Sequence, residues 1–119
     1  MNQNYLKEKT KSFALEIIKL IESLPRGRTT DVIGKQLLDA GTSVGANYRV
    51  AYRARLPEDF ISKMGIVEEE ADETIYWMEL LIESGLVQKQ DLTHLLDGAN
   101  QILAMNVSSI KTAKRKRSK

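Results

Sequence analysis

The sequence predicts an all-α protein, an antiparallel up-down-up-down four-helix bundle, on three observations. Apolar residues recur in steps of three and four along nearly the whole chain. Only two prolines occur, Pro25 and Pro57, and with Gly85 they cut the 119 residues into four long pieces. The links between those pieces, 25–29, 54–57 and 85–90, are short enough to force antiparallel neighbours. No strand-like alternation of useful length and no internal repeat competes with this pattern.

The first helix is expected over 4–24, where Phe13, Ile17, Leu20, Ile21 and Leu24 form one apolar face. Pro25-Arg26-Gly27-Arg28 stops it. The second is expected over 30–54. Thr29-Thr30-Asp31 offers hydroxyls for the cap and an acid for the positive end of the helix dipole. Its apolar line is Ile33, Leu37, Val44, Tyr48 and Ala51 or Tyr52. It also carries Gly34, Gly41 and Gly45, each costing a helix roughly 1 kcal/mol against alanine. Close approach of a neighbouring helix is the first explanation, and a break or kink near 41–45 the second.

The third helix, 57–84, opens with proline at its first position and Glu58-Asp59 in its first turn. Phe60, Met64, Val67, Ala71, Thr74 or Ile75, Met78 and Ile82 give a heptad-like seam, and Ser84-Gly85 ends it. The fourth, 90–112, shows Leu92, Leu95 or Leu96, Ala99, Ile102 or Leu103, Asn106 and Ile110. Residues 1–112 therefore make one bundle domain, followed by a basic flexible tail, 113–119.

Composition narrows the function. Hydrophobic residues at 42% and charged residues at 29% describe an ordinary globular mixture able to bury one modest core. The absence of cysteine excludes disulfides, zinc fingers and thiol chemistry. No apolar run approaches the ~20 residues of a membrane span, and the polar start lacks a signal-peptide core. A cytoplasmic protein with no membrane partner is expected. The net charge of +2 averages unlike pieces. Six bases and no acids lie in 111–119, so residues 1–110 carry −4. Residues 26–63 hold seven bases against four acids, whereas 64–84 hold seven acids and no base.

Arg49 and Arg53 stand one turn apart beside Tyr48 and Tyr52, with Arg55 in the next turn and Lys35 earlier on the same helix. Cations can displace counterions from phosphates and rings can stack on bases, so these residues are candidates for nucleic-acid binding. Lys114, Arg115, Lys116 and Arg117 of the tail join them. The competing reading pairs the helix-two bases with the helix-three acids, across the bundle or across subunits. Tyr76 and Trp77 lie off the main seam and are candidates for an oligomer interface, although a flanking core position also suits Trp77.

Enzyme chemistry is not indicated. The one histidine, His94, has Asp91 and Asp97 three residues to either side, which cannot supply the paired ligands of a bundle metal site. No phosphate loop or nucleophile elbow occurs, and nothing brings His94 to Ser43. No cofactor or metal is expected.

Ser43-Val44-Gly45-Ala46-Asn47-Tyr48-Arg49, Arg53-Ala54-Arg55, Asp59-Phe60-Ile61 and the run from Ile66 to Thr74 with Tyr76-Trp77 resemble the bacterial four-helix-bundle family of proteins encoded in 23S rRNA intervening sequences. The resemblance covers about 10–110 and is best over 43–83. It implies a homo-oligomer, a ring-like pentamer, and kinship with the accessory protein of diversity-generating retroelements. That relative is basic and engages nucleic acid and a reverse transcriptase. The family carries no catalytic activity. Two features depart from it: Gly45 stands where many members have proline, and the body here is acidic. A non-enzymatic oligomeric accessory protein binding RNA or DNA is the expected function. The alternative is a structural or protein-interaction module.

Overall fold

The computed structural model describes residues 3–118 as four helices, α1 (Gln3–Ser23), α2 (Arg28–Tyr52), α3 (Pro57–Glu83) and α4 (Lys89–Arg117). Helix α1 packs on α2, α2 on α3 and α3 on α4, and α4 closes back on α1. Contacts across the seams run in opposite directions. On the α1–α2 seam, Gly34 faces Ile21 and Leu24, Gly41 faces Ile17, and Gly45 faces Thr10. The bundle is a rod of 52 × 20 × 19 Å. Its radius of gyration of 15.1 Å exceeds the ~13.5 Å expected of a compact chain this long.

The core follows the predicted lines. Phe13 and Ile17 of α1 meet Leu37, Val44, Tyr48 and Ala51 of α2, then Met64, Val67, Ala71 and Met78 of α3, and Leu92, Ala99 and Ile102 of α4. The last buried residue on the α3 seam is Leu81, and Ile82 is only half-buried. Leu81 continues the alternating three- and four-residue spacing through Thr74 and Met78, so it, not Ile82, faces the core. The turn at Gly85 is a Schellman motif. The Leu86 N–H donates to the Leu81 carbonyl at 3.1 Å and the Gly85 N–H to the Ile82 carbonyl at 3.0 Å. Gly85 adopts φ 82°, where a side chain would be strained.

The small residues of α2 mark a close approach, and the helix runs unbroken through 41–45. A Cβ on Gly41 would stand 2.9 Å from Ile17 Cγ1, and one on Gly45 would stand 3.2 Å from the Thr10 carbonyl oxygen. Two expectations are corrected. First, α2 begins at Arg28 with Gly27 at the cap position, and no side-chain hydroxyl caps it. Thr29 and Thr30 already lie inside the helix, where their hydroxyls cannot reach its free N–H groups. Asp31 reaches back instead, accepting from Gly27 N–H at 3.4 Å and from Arg26 Nε at 3.1 Å. The Arg26 guanidinium holds the Asp31 carboxyl below its ordinary value. Second, the basic residues 113–117 are helical and belong to α4, not to a separate flexible tail. Nothing in Lys111–Arg117 breaks a helix, and cations in a last turn oppose the negative end of the dipole.

One polar group sits deep in this core. Asn106 is fully buried, and its Nδ2 donates to the Met64 carbonyl at 2.9 Å. Its Oδ1 has no partner among the described residues.

Candidate nucleic-acid interface

Antiparallel topology sorts the charges by end of the rod rather than by helix. A mid-plane crosses α1 near Phe13, α2 near Val44, α3 near Gly65 and α4 near Ile102, as the Thr10–Gly45 and Asn106–Met64 contacts require. One end gathers the start of α1, the finish of α2, the start of α3 and the finish of α4. Among the described residues it holds twelve bases against three acids: Lys7, Lys9, Lys11, Arg49, Arg53, Arg55, Lys63, Lys111, Lys114, Arg115, Lys116 and Arg117 against Glu8, Glu58 and Asp59. The other end holds five bases and thirteen acids. Like charges concentrated on one face raise its potential and attract polyanions.

Arg49, Arg53 and Arg55 are exposed at the basic end and make no ion pair among the described residues. Lys114, Arg115, Lys116 and Arg117 are exposed beside them, on the last turns of α4. Arg55 and Lys116 line the same groove. The fold thus joins the two basic runs that are far apart in the sequence. Lys35 does not join them. It is exposed near the start of α2, about 21 Å along the helix from Arg49, towards the acidic end.

The aromatic row also divides. Tyr48 is fully buried, and burial pushes its hydroxyl up to about 12, so its ring belongs to the core and cannot stack on a base. Tyr52 keeps 36% of its surface, and Lys7 Nζ lies 5.2 Å above its ring. Lys7, Lys9 and Lys11 are the residues that sequence reasoning missed. Their signal was the topology itself, since an antiparallel α1 must start where α2 finishes.

Among the described residues, the helix-two bases form no ion pair with the helix-three acids. Asp39, an acid, faces Glu70 across the α2–α3 seam. Burial, reinforced by Glu73, Glu69 and Asp39, raises the Glu70 carboxyl above its ordinary value. Tyr76 is 52% exposed, and the half-buried Trp77 packs against the core while meeting the Tyr76 ring edge-on at 5.1 Å. His94 is exposed and lies 3.4 Å from Glu16 of α1 rather than against Asp91 or Asp97. No cluster able to hold a metal ion occurs among the described residues, and no helix there is long and apolar enough to cross a membrane.

The family model of the 23S rRNA-intervening sequence protein matches residues 2–108. The chain belongs to that family. A similar solved structure is the crystal structure of a protein of unknown function from the S23 ribosomal protein family of Bacteroides thetaiotaomicron VPI-5482. It is 37% identical with a TM-score of 0.87, the match covering 93% of this chain and 99% of that one. No curated protein matches the sequence. The family match ends at residue 108, before the basic finish of α4, Lys111–Arg117.

Proposed function

We propose that this intervening-sequence family member is a non-enzymatic, homo-oligomeric accessory protein of the cytoplasm that binds RNA or DNA with its basic end. The observation that carries the reading is the convergence of α1, α2 and α4 cations on one end of the rod, where they outnumber the acids and form no ion pair among the described residues. Arg49, Arg53 and Arg55 supply phosphate contacts from the bundle, and Lys114, Arg115, Lys116 and Arg117 extend them along α4. Lys7, Lys9 and Lys11 add positive potential from α1. Lys35 is dropped from the site because it stands at the other end. The nucleic acid is recognised first by its backbone charge, which makes affinity strongly dependent on salt. In a mobility-shift titration, Arg49→Glu/Arg53→Glu loses at least about tenfold in affinity and Lys35→Glu changes it less than about twofold. Equal losses from the two variants refute the placement.

A second reading, a structural or protein-interaction module, draws on the acidic end. Glu68, Glu69, Asp72, Glu73, Glu79 and Glu83 have no cation partner among the described residues. A second copy could bring its basic end to them, with exposed Tyr76 at the contact. Glu68→Lys/Glu69→Lys then shifts the mass seen by light scattering, whether or not nucleic acid is present.

A further inference from the structure

The basic end is not a plain charged surface. A groove of about 1120 Å³ opens there between the α2–α3 corner and the last turns of α4. Its floor is apolar: Leu6 and Ala51 are buried core residues, and Phe60 and Met105 are half-buried beside them. Arg55 and Lys116 stand at its sides, and the Tyr52 ring and Leu56 form a lip. Ser108, Ser109 and Thr112 project into it from α4. The hydroxyls of Ser108 and Ser109 have no hydrogen-bond partner among the described residues, whereas Thr74 and Thr93 bond to carbonyls four residues back in their helices. Of the α4 wall, Ala104, Met105 and Ser108 lie within the family match, and Ser109, Thr112, Ala113 and Lys116 lie past residue 108.

We propose that this groove accepts the base of an unpaired nucleotide, so that the protein binds single-stranded nucleic acid in preference to duplex. The inference rests on the nucleic-acid reading above and adds what selects the strand. A base has an apolar face and a polar edge, and its phosphate carries a charge. The floor covers the face, the serine and threonine hydroxyls meet the edge, and Arg55 and Lys116 hold the flanking phosphates. A duplex keeps its bases stacked and paired inside, so it offers the same cations its phosphates but nothing to the floor.

Fluorescence anisotropy on the full chain tests this, with a labelled single strand of about twelve nucleotides and the duplex of the same sequence as probes. The strand should bind at least about tenfold tighter, the worth of roughly one stacked base. Ser108→Trp fills the groove from an exposed helix position. It should remove that preference while duplex affinity changes less than about twofold, since the cations remain. Val107→Trp adds the same bulk to an exposed α4 position outside the groove and should retain the preference, with circular dichroism melts showing both variants folded. Equal affinity for strand and duplex, with Ser108→Trp silent, overturns the groove proposal and leaves the basic-end reading standing. A poly-glutamate peptide of matched charge competing as well as unlabelled strand also overturns it. Binding of neither probe overturns both.

Discussion

One methyl group separates the two uses of glycine in this bundle. At Gly41 a Cβ would press on Ile17, whose Cγ1 and Cγ2 would stand at 2.9 and 3.0 Å. Gly41→Val should therefore destabilise by about 1–3 kcal/mol through overpacking. At Gly65, in the middle of α3, a Cβ meets nothing within 4 Å. Gly65→Ala should stabilise by about 0.5–1 kcal/mol, because only the entropy of the unfolded backbone is at issue. Urea midpoints of the two variants measure both signs. Tyr48 gives a pH signature. Its hydroxyl is raised in the fold by burial and secondarily by Tyr52. The neutral form is thus favoured in the native state, and its contribution is full below the ordinary value of about 10. It is lost as pH climbs from there through about 12. Thermal melts should show a steep alkaline fall that is blunted in Tyr48→Phe.

The helices themselves were legible because their signals are local. Pro57 needs no partner to start α3. The residue before it, Leu56, is held extended at φ −104°, ψ 142°, as proline demands of its neighbour. Gly85 ends the same helix by its own conformation. The errors arose where a boundary depends on a competition between neighbours. Thr29 and Thr30 looked like caps, but Asp31 and Arg26 secured an earlier start for α2. Residues 113–117 looked like a tail because charge density alone does not show whether a helix continues. The α2–α3 seam was not legible either, since opposite net charges on two helices do not say which residues face each other. The Glu70 carboxyl is raised by burial first, then by Glu73 and Glu69 of its own helix, and Asp39 across the seam adds to it. A raised acid is stabilising in its protonated form and loses that contribution as pH rises through its folded value. Glu70→Gln should accordingly raise the melting temperature at pH 7, and the gain should vanish in mild acid, where Glu70 is already protonated.

For the whole molecule, net charge proved the least informative quantity. The +2 of the sequence divides into a basic end and an acidic end of one rod, a division invisible until the chain is folded back on itself three times. Arg49, Arg53 and the run at Lys114–Arg117 were each recognisable from sequence. Their convergence was not, nor was the recruitment of Lys7, Lys9 and Lys11, because those relations are set by topology. Lys35 was misplaced for the same reason, and Tyr48 because a helix row cannot reveal which of two aromatics faces the core. The central claim is that this end binds nucleic acid through its cations. The most direct test is the slope of log affinity against log salt for a single-stranded oligonucleotide. If about five to eight phosphates are neutralised, the slope is roughly −3.5 to −5.6, and it becomes shallower by about 1.4 in Arg49→Glu/Arg53→Glu but not in Lys35→Glu. A slope near zero, or one that Lys35→Glu lowers as much as the arginine pair does, contradicts the assignment.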